Sequence, residues 1–192
     1  MAIGSITGIT ATAALIDNNL VTVVPSSLVV NDVGVTYSIQ VKILHQISSG
    51  GYFTILIPPE IGIDTVSAPN SCTININSTS YVQTPCTAVN NSNSTGVLIT
   101  YTNPFSSNIN INTIIIARIL TVFTNPVSTR PTSSFQIYTY APAGAPIAFI
   151  NSALTVQMTI PASFNSISIT RASNKNYDLT TYYFGIAQNS PY

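Results

Sequence analysis

The stretch "VTYSIQVKILHQISSGGYFTILIPPE", Val35 to Glu60, decides the fold. Its first half alternates: Val35, Tyr37, Ile39, Val41, Ile43, His45 and Ile47 fall on one face, Thr36, Ser38, Gln40, Lys42 and Gln46 on the other. Such period-two patterning marks a strand with one buried face and one wet face. "SSGG", Ser48 to Gly51, supplies a turn from residues that tolerate positive φ, and "YFTILI" returns from it, so a β-hairpin is expected here. Pro58 and Pro59 end the second strand.

Outward from this hairpin, alternating or β-branched runs recur between Pro, Gly and Asn breaks. They are "LVTVV" (20–24), "GVLITYT" (96–102), "TIIIARILTVF" (113–123), "SSFQIYTYA" (133–141), "IAFIN" (147–151), "ALTVQMTI" (153–160) and "SISIT" (166–170). Helical periodicity is hard to find anywhere. The fold class is therefore all-β, and the spacing of strands and turns points to an immunoglobulin-like β-sandwich with a terminal strand-rich extension. The expected organisation is an N-terminal extension over 1–19, a sandwich over 20–150, and a C-terminal β segment over 151–192 that starts a second module or is a donated strand.

The C-terminal segment carries an internal echo. "TTYYFGI", Thr180 to Ile186, repeats the pattern of "VTYSIQV", Val35 to Val41. The longer comparison sets "LTVQMTIPASFNSISIT" against "LVTVVPSSLVV", with an insertion around "RASNKNYD", and suggests tandem modules.

Only 5% of the 192 residues are charged, with formal net charge zero, while 45% are hydrophobic. Disorder does not follow, because disordered chains pair low hydrophobicity with high charge. A neutral, compact protein has little repulsion to keep copies apart and tends to associate. The basic residues Lys42, Arg118, Arg130, Arg171 and Lys175 stand singly, which excludes a nucleic-acid partner held by a cationic patch. The opening "MAIGSITGITATAALI" has neither the basic region nor the compact apolar core of a secretion signal. The most apolar run, Thr113–Phe123, is too short for a membrane span and is interrupted by Arg118, so it reads as a buried strand.

Cys72 and Cys86 bracket the polar stretch "CTININSTSYVQTPC". A disulfide closing this loop would add about 3 kcal/mol in the chain-entropy model and would suit an oxidising compartment; the alternative is two unlinked thiols. Neither Cys has a second Cys or His at ligand spacing, so no metal is expected. Asn77, Asn90 and Asn93 head N-x-S/T sequons and are candidate glycosylation sites. Their number is what a Ser/Thr- and Asn-rich chain produces by chance, so their clustering on one polar excursion is the better evidence.

Residues for catalysis are scarce. His45 is the single histidine and falls in phase with the core face, which favours an imidazole bonded to backbone over a general base. Asp17, Asp32, Glu60, Asp64 and Asp178 are scattered, and no Ser lies in a G-x-S-x-G context. No enzymatic activity and no cofactor are expected. Lys42 and Lys175 are candidates for an isopeptide cross-link, with a solvated side chain as the default. Tyr182 and Tyr183 are candidates for stacking on sugars, with packing as the better reading.

Two stretches, "GGYFTILIPPEI" (50–61) and "NPVSTRPTSSFQIYTY" (125–140), resemble modules of very large, repeat-built surface proteins of ciliated protists. There a Gly-Gly turn leads to an apolar strand ending in Pro, and a Ser/Thr-rich stretch introduces an alternating strand. The resemblance covers about Leu20 to Phe149. It implies an extracellular, repetitive, structural β-sandwich with no catalytic residues to carry over. A looser likeness is to subunits of donor-strand-assembled surface filaments.

Together these readings lead to an expected non-enzymatic structural subunit of an extracellular filament or surface coat. It would polymerise head to tail by β-strand addition, with copies of itself as partners and glycans as further partners. Thr181, Tyr182, Tyr183, Phe184 and Ile186 are the candidate assembly strand. The alternative is an adhesin-type or carbohydrate-binding module, favoured by a surface groove lined by Tyr and Asn.

Overall fold

A computed structural model describes residues 13–68, 71–77, 80–90, 96–150, 154–160, 164–173, 175 and 181–188. Along them the chain runs through β1 (Ala14–Leu15), a 3-10 turn (Asn18–Leu20), β2 (Val21–Pro25), β3 (Val33–Lys42), β4 (Tyr52–Ile57), β5 (Gly62–Ile63) and β6 (Cys72–Ile76). It continues through β7 (Val82–Gln83), β8 (Cys86–Asn90), β9 (Val97–Tyr101), β10 (Ile114–Thr124), β11 (Gln136–Tyr140) and β12 (Pro146–Ile150). The last pair is β13 (Phe164–Arg171) and β14 (Tyr182–Gln188). Two compact units result, Met1–Thr159 and Ile160–Tyr192.

The first unit is an immunoglobulin-like sandwich. One sheet has the order β2-β3-β10-β6-β7, with β5 on β10; the other has the order β1-β12-β11-β4-β9-β8. The sequence β2-β3-β10-β6 facing β4-β11-β12 is the arrangement of an immunoglobulin frame, and β8 and β9 extend the second sheet. Val35, Tyr37, Ile39 and Val41 of β3 and Ile115, Ala117 and Ile119 of β10 point inward against Phe53, Ile55 and Ile57 of β4, Ile99 and Tyr101 of β9 and Ile137 of β11. Arg118 takes the outward phase of β10, its Nε donating to Ser38 Oγ at 3.2 Å and its guanidinium lying 3.9 Å over the Tyr81 ring. The second unit is the antiparallel pair β13–β14.

β3 and β4 do not form the expected hairpin. β3 pairs with β2 and β10, and β4 with β11 and β9, so the connection between them crosses from one sheet to the other. Both edges of β3 are taken, which leaves β4 only the opposite sheet. Ile47 anchors the crossing by exchanging backbone hydrogen bonds with Ile109 at 3.0 and 2.8 Å, and Gly50 N donates to Phe105 O at 2.9 Å. Gly51 is required there: a Cβ would meet Ile47 Cγ2 at 2.5 Å and Tyr140 O at 2.8 Å. The expected tight turn does form, with Gly50 at φ 79° and Gly51 N donating to Ser48 O at 2.9 Å, but it sits at a crossing between sheets instead of joining paired strands. β3 stops at Lys42, so His45 lies exposed in the bend instead of facing the core.

The stretch between the cysteines is not a polar loop. Cys72 opens β6 in one sheet and Cys86 opens β8 in the other, and their disulfide, with Cα atoms 6.2 Å apart, ties the two sheets together. Both cysteines are buried.

The sandwich also reaches past 20–150 at both ends. Ala14 and Leu15 pair in parallel with Ala148 and Phe149 of β12. At the other end Leu154, Val156 and Met158 point into the core. This strap is held by Phe135 N to Leu154 O at 2.8 Å, Thr132 N to Val156 O at 2.9 Å and Thr159 N to Leu28 O at 2.7 Å.

A buried polar cluster pins these parts. Tyr37, fully buried, packs edge-on to Phe123 with ring centroids 4.7 Å apart, and its hydroxyl donates to Asn125 Oδ1 at 2.9 Å. Asn125 Nδ2 donates to Ser27 O at 2.8 Å and Val29 O at 2.9 Å. Replacing Tyr37 by Phe leaves Asn125 Oδ1 buried without its donor, which costs about 1–3 kcal/mol. Urea unfolding of Y37F is expected to show a lower midpoint at unchanged slope; an unchanged midpoint would contradict the role given to this bond.

Candidate functional site

Period two decides what the second sheet shows to solvent. With Ile137 and Thr139 of β11 facing inward, Tyr138 and Tyr140 face outward; with Phe53 and Ile55 of β4 inward, Tyr52 and Thr54 face outward. Antiparallel register sets Tyr140 opposite Tyr52, and Tyr138 opposite both Thr54 and Phe149. Across strands Tyr52 stacks on Tyr140 at 4.8 Å and Tyr138 on Phe149 at 5.7 Å, and along β11 Tyr138 stacks on Tyr140 at 6.3 Å between centroids. An aromatic layer thus covers the outer face of β4, β11 and β12.

Beside this layer lies an open groove of about 450 Å³, lined by Tyr52, Thr54, Leu98, Thr100, Thr102, Asn103 and Tyr140. Thr54 and Thr100 face each other across β4 and β9, with Tyr52 and Tyr140 on one side and Leu98 on the other strand. The lining holds hydroxyls, an amide and aromatic surface, and no Asp, Glu, Lys, Arg or His. Thr54 is only 5% exposed, and its Oγ1 lies beneath the groove surface beside the Tyr140 phenol. The polar groups that the groove offers to a ligand are those of Thr100, Thr102 and Asn103, with the Tyr52 and Tyr140 phenols. Burial raises the Tyr140 phenol above the usual tyrosine range, as do the neighbouring Tyr52 and Tyr138, against a lowering by the Thr54 hydroxyl. The groove is therefore electrically neutral through the physiological range.

The residues singled out from sequence do not gather at this groove. Asn77 is exposed at the end of β6, in a left-handed conformation with φ of 45°, and its Oδ1 accepts from Ile114 N at 2.8 Å. Asn90 is exposed at the end of β8, and Asn93 lies outside the described residues. Thr181, Tyr182, Tyr183 and Phe184 are exposed at or on β14, and Ile186 pairs through its backbone with Ile167. Lys42 ends β3 half-buried, and Lys175 is exposed. The acids serve turns and loop contacts: Asp17, Asp32 and Asp64 accept from nearby backbone N–H groups, and Glu60 accepts from Ser133 N and Oγ. Asp178 lies outside the described residues. Among the described residues no group of three or more His, Cys, Asp and Glu comes together, and no helix is long and apolar enough to cross a membrane.

The groove itself was missed from sequence, although its signal is there. "YFTILI" and "QIYTY" put Tyr, not Ser or Lys, on the phase opposite the core. What sequence does not give is which strands lie side by side.

No protein-family model matches the chain, and no curated protein matches it. Among solved structures it is similar to the collagen-binding domain of a Staphylococcus aureus adhesin, at 9% identity and a TM-score of 0.34, covering 69% of this chain and 97% of that one. The strand order and register given above define the fold.

Burial also pushes the Tyr37 and Tyr101 phenols far above their ordinary value. A folded-state pKa raised above the unfolded value of about 10 contributes stability that is complete below that pH and is lost as pH rises through the folded value. Stability is expected to hold up to about pH 10 and to fall above it, with the last phenolate absorbance appearing only on unfolding. All tyrosines ionising together in a folded protein would contradict this.

Proposed function

We propose that the protein is a non-enzymatic, extracellular β-sandwich binding module of adhesin type that takes a neutral carbohydrate in the groove beside Tyr52. The observation that carries this reading is an aromatic layer beside an open, uncharged groove that presents the hydroxyls of Thr100 and Thr102 and the amide of Asn103. A sugar ring presents an aliphatic face that suits aromatic surface, together with hydroxyls that can bond Thr100, Thr102 and Asn103. A phosphate or an ammonium ligand would meet no counter-charge there. The disulfide suits an oxidising, extracellular or cell-surface location.

A second reading, a filament or coat subunit polymerising head to tail with copies of itself, is favoured by β14. Tyr182, Tyr183 and Phe184 are 54%, 61% and 68% exposed, and among the described residues β14 pairs only with β13. Ala14–Leu15 and residues 154–159 do not serve as donors within this reading, because the first pair with β12 and the second are held in their own sandwich. The likeness to repeat modules of ciliate surface proteins is compatible with either reading, as is glycosylation at Asn77 or Asn90.

Titration of the full chain against neutral oligosaccharides tests the first reading. Binding is expected to fall about tenfold in Y52A, the effect of losing about 1.4 kcal/mol of aromatic contact. T100V is expected to weaken binding while leaving stability about equal, because the half-buried Thr100 hydroxyl lines the groove. No saturable binding of any neutral sugar, or equal binding by both variants, would overturn it; preference for a proline-rich peptide would assign the groove to a different ligand.

A further inference from the structure

β13–β14 repeats β2–β3 in register as well as in pattern. In the first hairpin Val21 pairs with Val41, Val23 with Ile39 and Pro25 with Tyr37. In the second, Ile167 pairs with Ile186, Ile169 with Phe184 and Arg171 with Tyr182. Aligning "VTYSIQV" with "TTYYFGI" sets Tyr182 at the place of Tyr37, Phe184 at that of Ile39 and Ile186 at that of Val41, and the partner strand then falls into the matching pairs without adjustment. "SISIT" is thus the counterpart of "VTVV", and "LTVQMTI" belongs to the first sandwich, which corrects the alignment drawn from sequence alone. The two sets of positions differ sharply in environment. Tyr37 and Ile39 are 0% and 1% exposed, whereas Tyr182 and Phe184 are 54% and 68% exposed.

The difference has a structural cause. The second edge of β3 is occupied by β10, with Ile115 opposite Val41, Ala117 opposite Ile39 and Ile119 opposite Tyr37. The Tyr37 hydroxyl then finds Asn125, one residue beyond the end of β10. Among the described residues nothing takes the corresponding edge of β14, and a lone two-stranded hairpin is marginal in water.

We infer that β13–β14 is the opening hairpin of a second sandwich module, and that the open edge of β14 receives an antiparallel strand of β10 type from that module. The occupant would carry small or branched apolar residues on alternate positions opposite Ile186, Phe184 and Tyr182. It would end in a side-chain acceptor for the Tyr182 hydroxyl. β10 is itself excluded as occupant, because β3 and β6 hold both its edges. The inference is independent of the groove, and it makes the hairpin a receiver of a strand where the filament reading makes it a donor.

The probe is a synthetic peptide with the sequence of residues 113–125, flanked by lysines for solubility, added to the isotope-labelled full chain. Saturable binding is expected, with amide shifts confined to Tyr182–Ala187 and affinity at least about tenfold above that of a scrambled peptide. F184D should abolish binding, and F184I, which installs the residue found at Ile39, should retain it. Absent binding, equal binding of the scrambled peptide, shifts at β2 or β8 instead, or self-association through β14 that excludes the peptide would each overturn the inference.

Discussion

The hydrogen bond from the Tyr37 hydroxyl to Asn125 governs the rest of the sandwich. A phenol at zero exposure must find an acceptor or lose its hydration without return. Asn125, 2% exposed, provides it, and its amide then holds Ser27 O and Val29 O while its backbone N–H holds Asp32 O at 2.8 Å. The loop joining β2 to β3 is thereby fastened to the end of β10. Met158 and Thr159 close over the same region, where Val30 N donates to Thr159 O at 3.0 Å. One polar contact in an apolar interior thus selects a single arrangement of three chain segments. Tyr101 makes a second such link, reaching across the core from β9 to Arg118 O of β10 at 2.9 Å.

Strands with strict alternation were legible from the sequence, and connections were not. The phase of Val35, Tyr37, Ile39 and Val41 is the buried phase of β3, and the apolar run that starts at Thr113 becomes β10, Ile114–Thr124, with Arg118 outward. Alternation continued on paper through His45, but the chain bends after Lys42, and no local signal separates a bend from a continuing strand. "SSGG" reads as a hairpin turn because glycine tolerates positive φ; Gly50 does take φ 79° in a turn, but that turn leads to the opposite sheet, and Gly51 is needed for its missing side chain, a tertiary demand. The segment from Cys72 to Cys86 looked like a loop because Asn and Thr fill it, yet β6 and β8 bury their cysteines and pair normally. Low β-propensity was overridden by sheet partners.

The candidate site shows the same limit. Tyr52, Tyr138 and Tyr140 are each visible as outward-phase residues, but their stacking arises from the pairing of β4 with β11, strands about eighty residues apart in the chain. The sheet assembles an aromatic layer from positions that are solvated individually. Near-absence of charge then acquires a local meaning, since the groove lining is uncharged as well as the chain. An uncharged groove discriminates by shape and hydroxyl pattern rather than by ion pairing. The detached hairpin follows a different logic: it carries the pattern of an interior strand without the partners that make it interior.

The central claim is that the unit closed around Tyr37 is complete within one chain, so that function resides on its surface. Native-state amide hydrogen exchange across a wide range of protein concentration tests this most directly. The account predicts that β3 and β10 exchange only through global unfolding, with the same protection in dilute monomer as in concentrated protein. Protection of those strands that appears only as copies associate would contradict it.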